Sequence, residues 1–70
     1  MKKQYVSSST AEALDYDEKK KILRVWFRTG KIYDYANVPK TEFETLLGAP
    51  SIGEYFNKNI RGSYPYKKVK

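Results

Sequence analysis

Along the first half of the chain apolar and polar positions alternate; along the second half apolar residues recur every three or four positions. The alternation is clearest in residues 22–28, where Leu23, Val25 and Phe27 interleave with Arg24, Trp26 and Arg28. It continues in residues 31–36, where Tyr33 and Tyr35 flank Asp34. Such period-two stretches, rich in β-branched and aromatic residues, predict strands with one buried face. Residues 13–16 form a shorter candidate strand ahead of the charged turn Asp17-Glu18-Lys19-Lys20. Residues 5–8 offer an edge strand that runs into Ser7-Ser8-Ser9-Thr10.

From Pro39 onward the period changes. Phe43, Leu46 and Leu47 fall at i, i+3 and i+4, which predicts a helix that starts near Pro39 and stops at Gly48-Ala49-Pro50. Ser51-Ile52-Gly53-Glu54 has the capping-box pattern, in which the Ser51 hydroxyl and the Glu54 carboxylate each satisfy a backbone N–H of the first turn. The helix it opens presents Ile52, Tyr55, Phe56 and Ile60 and ends at Gly62, followed by the basic, aromatic tail Tyr64-Pro65-Tyr66-Lys67-Lys68-Val69-Lys70. The expected architecture is α+β: a three-stranded antiparallel meander, with a fourth N-terminal edge strand as a candidate, then two helices packed on one sheet face. The chain reads as a single domain, residues 1–70, frayed at 1–5 and 67–70.

The register of the second hairpin decides which way Tyr33 and Tyr35 point, because a slip of one residue exchanges the two faces. A two-residue turn at Thr29-Gly30 is disfavoured. Type I′ needs positive φ at β-branched Thr29, and type II′ wants its glycine first. A type I turn over Arg28-Thr29 with Gly30 as a left-handed bulge residue fits better. It pairs Trp26 with Ile32, Val25 with Tyr33, Arg24 with Asp34 and Leu23 with Tyr35. Leu23, Val25, Phe27, Tyr33 and Tyr35 then face the helices, while Arg24, Trp26, Ile32 and Asp34 face away. The alternative register buries Asp34 among apolar side chains, at a cost of several kcal/mol. Tyr33 and Tyr35 are therefore read as core rings.

With 70 residues the chain buries only roughly 60% of its unfolded surface, so the core is small. There is no cysteine to add a disulfide or thiolate site, and no histidine to act as a base near neutral pH. A serine nucleophile would need lysine as its base, and nothing places one beside residues 7–9. Asp15 and Asp17 lack the further oxygen ligands of a calcium loop. These features point away from an enzyme and give no sign of a metal or other cofactor. Fourteen Lys and Arg against eight Asp and Glu give a net charge of +6, which favours anionic partners. No apolar stretch is long enough to span a membrane, and the N-terminus lacks the apolar run of a signal peptide; an intracellular, cytoplasmic protein is expected.

The order V-x-S-S, A-L-x-Y-D, L-x-V-x-F-x-x-G-x-x-Y-x-Y-x-x-V-P and A-x-S-x-G-x-x-F-x-x-x-I-R, running from about Val6 to Tyr66, resembles the KTSC domain. That small module is found at the C-terminus of some lysyl-tRNA synthetases and as free-standing bacterial and phage proteins. The resemblance suggests RNA as a partner and matches Ser8, Ser9 and Arg61 to motif positions. Ala11 stands where the family usually has a larger aliphatic residue.

Three binding readings follow. In the first, a non-catalytic module holds RNA or another nucleic acid. Lys19, Lys20, Lys21, Arg24 and Arg28, with Lys67 and Lys68, meet phosphates, and Trp26, Tyr64 and Tyr66 stack bases. In the second, a small phosphorylated ligand, such as a nucleotide or cyclic nucleotide signal, sits at the Ser51 helix terminus with Gly53, Arg61, Ser8 and Ser9. In the third, Trp26 and Ile32 form a protein contact, a homodimer included. Each has a plain structural counterpart: solvated turn lysines, a Ser51 cap, a Gly53 placed for close packing, and a disordered tail.

Overall fold

The computed structural model describes residues 3–70. Five antiparallel strands follow one another in sheet order: β1 (Gln4–Tyr5), β2 (Ala11–Asp17), β3 (Ile22–Phe27), β4 (Ile32–Tyr35) and β5 (Tyr66–Lys68). Between β4 and β5 lie α1 (Lys40–Leu47) and α2 (Ile52–Tyr55), the latter running into a π-turn over Phe56–Ile60. The α+β class agrees with the expectation, but the sheet has two strands beyond the predicted meander. The candidate N-terminal edge strand is short: Gln4 and Tyr5 pair with Leu14 and Ala13. The tail, expected to fray, contributes Tyr66, Lys67 and Lys68 as partners of Tyr35, Asp34 and Tyr33. Ile32 extends this pairing by accepting from the N–H groups of Val69 and Lys70 and donating to the Lys70 carbonyl. Without β5, the outer edge of β4 would leave those groups to water. Of the predicted frayed residues 1–5, Met1 and Lys2 lie outside the described residues.

The β3–β4 register is the one that the turn chemistry requires: Leu23–Tyr35, Arg24–Asp34, Val25–Tyr33 and Trp26–Ile32. The Phe27 carbonyl accepts from Gly30 N–H at 3.0 Å, closing the type I turn, and Gly30 takes φ +94°. Only a residue tolerant of that conformation closes the bulge without strain. On the helix-facing side, Leu14, Leu23, Val25 and Tyr35 pack with Val38, Phe43, Leu46, Phe56 and Ile60. Ala11 joins this core because a bulge between Ala11 and Ala13 turns it inward, opposite Phe27.

Aromatic contacts tie the elements together. Tyr16 stacks on Phe43 at 4.9 Å between centroids, and its hydroxyl donates to the Val38 carbonyl at 2.5 Å. Glu42 on α1 accepts hydrogen bonds from Tyr55 on α2 and, at 3.0 Å, from Tyr64 just before β5. One carboxylate thus clamps both helices and the returning chain. The bond to Glu42 holds the Tyr55 phenol above its ordinary value of 10.0. Burial first, and the Glu42 bond second, do the same for Tyr64. The sign follows directly: a phenol whose folded pKa is raised stabilises the fold fully below about pH 10, and the contribution is lost as pH rises through the folded value. Urea midpoints should therefore fall above about pH 10, with a shallower fall in Tyr64→Phe. Equal slopes for the two proteins would contradict the clamp.

Among the described residues, no helix is long and apolar enough to cross a membrane.

Candidate phosphate-binding pocket

The loop from β1 to β2, the β3–β4 hairpin and the end of the π-turn meet around a pocket of about 340 Å³. Ser8 shapes the loop by accepting from the N–H groups of Thr10 (3.1 Å) and Ala11 (3.3 Å), a side-chain turn that leaves Ser9 exposed. Thr10 then meets the hairpin, its carbonyl accepting from Arg28 N–H at 3.2 Å. The Arg28 guanidinium donates to the Ser8 carbonyl, so a neutral group steers it, and among the described residues it is in none of the ion pairs.

The floor is aromatic. Tyr33 and Phe27 meet edge to face at 5.5 Å, as do Tyr35 and Phe56 at 5.2 Å. Tyr66 on β5 lies outside the lining but stacks on Tyr33, its ring parallel within 1° at 5.4 Å and 63% exposed. Such pairs contribute roughly 0.5–1.5 kcal/mol each beyond their burial, so the floor is firm.

The far wall comes from the π-turn. Arg61 N–H donates to the Phe56 carbonyl at 2.8 Å, the wide i→i+5 bond, after which the chain leaves helical geometry at Arg61. Ile60 is thereby held in the core while the next residue, Arg61, is delivered to the pocket. Burial raises the Tyr35 phenol above its ordinary range, and the nearby Arg61 charge acts against that rise.

Among the described residues the lining is Ser9, Thr10, Phe27, Arg28, Thr29, Lys31, Tyr33, Tyr35 and Arg61: three cations, five hydroxyl groups and no carboxylate. Among the described residues the ion pairs are Arg24–Asp34, Lys40–Glu18 and Lys58–Glu54, none of which draws on Arg28, Lys31 or Arg61. The chemistry on offer is a concave, positively charged seat with hydroxyl donors beside aromatic rings. It suits an anion attached to a flat ring system.

The other sequence-derived candidates are dispersed. Lys19, Lys20 and Lys21 are exposed in the β2–β3 turn, where Asp17 accepts from the backbone of Lys19 and Lys20. That turn lies at the opposite end of β3 from Arg28, about 20 Å away for a strand of this length. Arg24 points to the other sheet face and is engaged by Asp34 through two bonds, of 2.7 and 2.9 Å. The Asp34 bond first, and the charge of buried Asp15 also, raise its pKa. Trp26 shares this outer face with Ile32 and is half-buried, the Lys3 ammonium standing 4.6 Å from its ring. Lys67 lies beside Asp34 in register, Lys68 beside Tyr33, and Tyr64 is half-buried on Glu42.

Ser51 and Arg61 do not share a site. Ser51 caps α2, accepting from Glu54 N–H at 3.3 Å, and faces a separate groove of about 230 Å³. The return half of the capping box is replaced, since the Glu54 carboxylate takes the Lys58 ammonium at 3.1 Å. Gly53 is buried where a Cβ would lie 2.6 Å from Thr10 Oγ1 and 3.3 Å from Ser8 Oγ. Its bareness admits the loop, not a ligand. Sequence reasoning passed over Thr10, Thr29 and Lys31 and kept Tyr33 and Tyr35 for the core. The strand alternation, which already set both tyrosines on the Arg61 side of the sheet, was the available signal.

Comparison with known proteins bears on the same residues. A family model described as the KTSC domain matches residues 7–64. The lysine–tRNA ligase of Nostoc punctiforme is 34% identical over 61 residues, which make up 87% of this chain and 11% of that protein. The chain thus spans about a tenth of the ligase's length. An uncharacterized protein of Stutzerimonas stutzeri is 40% identical over 70 residues, covering 99% of both chains. The crystal structure of a KTSC domain protein from Yersinia pestis matches with a TM-score of 0.95 at 30% identity, covering 99% of this chain and 97% of that one. By sequence and by fold, the chain belongs to the KTSC domain family.

Proposed function

We propose that this domain is a non-catalytic RNA-binding module and that RNA enters the hairpin pocket, leaving the outer sheet face uninvolved. The observation that carries this reading is the convergence of Arg28, Lys31 and Arg61 around one aromatic-floored pocket with no carboxylate in its lining. Phosphates supply the affinity of most nucleic-acid contacts, and exposed rings such as Tyr66 add sequence-tolerant stacking of about 1–3 kcal/mol per base. Further support comes from the relatives named lysine–tRNA ligase, in which a segment like this one shares a chain with an enzyme named for tRNA. The volume of about 340 Å³ favours a second reading, in which a free nucleotide fills the pocket, since small-ligand sites begin at about 300 Å³.

Charge removal at two places tests the proposal. Short single-stranded RNA should bind far less tightly when Lys31 and Arg61 are replaced, and nearly as well when Lys19, Lys20 and Lys21 are replaced. The reverse ranking would refute it.

A further inference from the structure

Resting on the pocket as the RNA site, we infer that what it recognises is a terminal phosphomonoester on a nucleotide, in preference to the internal phosphodiester backbone. Charge is the first reason. An internal diester carries one negative charge, whereas a phosphomonoester carries about −1.5 to −2 near neutral pH and presents three strong acceptor oxygens. Arg28, Lys31 and Arg61 bring three positive charges, with no carboxylate in the lining among the described residues, a balance nearer to the second group than to the single charge of the first.

Shape is the second reason. The pocket is floored by Phe27, Tyr33 and Tyr35, which pack in or against the core, so a ligand reaches that floor only from the solvent side. A strand end or a free nucleotide can enter such a seat. A continuous backbone must dip in and out of the concavity to bring an internal phosphate to the same floor. The third reason is the donor set: Ser9 and Thr29, both exposed, line the pocket with the cations, and their hydroxyls can offer short, charge-assisted bonds to phosphate oxygens. The base next to that phosphate is left at the Tyr33–Tyr66 wall, where the exposed Tyr66 ring can stack it.

The experiment compares one short single-stranded RNA carrying a 5′-phosphate, a 3′-phosphate or neither, by fluorescence anisotropy at physiological salt. A nucleoside 5′-monophosphate and its unphosphorylated nucleoside serve as competitors. At least one phosphorylated strand should bind about tenfold or more tightly than the strand with neither, the gain expected from one set of charge-assisted bonds. The difference should vanish in Arg61→Ala and in Lys31→Gln, both exposed positions, with unfolding midpoints confirming that the variants fold. The monophosphate should compete and the nucleoside should not. Equal affinity for all three strands would overturn the inference while leaving the RNA reading intact. Binding of the monophosphate with no binding of any RNA would keep the phosphomonoester and discard the RNA reading. No binding of either would discard both.

Discussion

Replacing Lys31 and Arg61 together by Ala should weaken binding of a short single-stranded RNA about a hundredfold. Hydrogen bonds to charged groups contribute roughly 1.5–3 kcal/mol each, and about 1.4 kcal/mol is tenfold in affinity, so two such groups reach that figure even at the lower bound. The fold should be nearly untouched, because both side chains are exposed and neither carries an ion pair among the described residues. The salt dependence should flatten as well, by a slope of about 0.7 for each single-strand phosphate that is no longer neutralised. Replacing Lys19, Lys20 and Lys21 removes one more charge but should cost less than about fivefold at physiological salt. Those lysines act only through the screened field at the far end of β3. Anisotropy titrations at two salt concentrations separate the cases. A greater loss from the lysine turn would move the site away from the pocket. Trp26 fluorescence would be a poor reporter, because its ring lies on the opposite sheet face under Lys3.

Gly53→Ala should lower unfolding stability by about 1–3 kcal/mol, a large share of the roughly 4–10 kcal/mol that a domain of this size possesses. The added methyl would lie 2.6 Å from Thr10 Oγ1 and 3.0 Å from Thr10 Cβ. Neither is the end of a long, yielding side chain, so the β1–β2 loop itself must move. Because Ser9 and Thr10 line the pocket, the displaced loop should also weaken ligand binding. Thr10→Ala in the same chain should return part of the stability, giving a coupling of about 0.5–3 kcal/mol between the two positions. Urea denaturation of the four proteins measures it. An uncoupled pair, or a Gly53→Ala variant as stable as the parent, would show that the helix and loop do not depend on this close approach.

What could be read from the sequence was local chemistry with few solutions. Thr29 resists positive φ and Gly30 accepts it, so one hairpin register survived, and with it the inward set Leu23, Val25, Phe27, Tyr33 and Tyr35. The helix start at Pro39 and the Ser51 cap were legible for the same reason. Strand β5 was not, because Lys67 and Lys68 are charged and exposed; what holds them is the free edge of β4 and the stacking of Tyr66 on Tyr33. The pocket was half legible. Its residue types were noticed, but Arg61 arrives through a π-turn that leaves no periodic trace; Gly53 was open to a ligand approach or to close packing, and its contact with Thr10 is the second. Grouping the turn lysines with Arg28 as one basic strip overlooked the length of β3, which holds them apart.

The most direct measurement is a ¹H–¹⁵N correlation spectrum of the labelled domain, titrated with a short single-stranded RNA that bears a 5′-phosphate. A pocket site predicts that the amides of Ser9, Thr10, Arg28, Thr29, Lys31, Tyr33 and Arg61 shift together and saturably, with the Trp26 indole and the Arg24 amide unmoved. Shifts concentrated at the Trp26 indole and at Lys19, Lys20 and Lys21, with the pocket amides still, would contradict it.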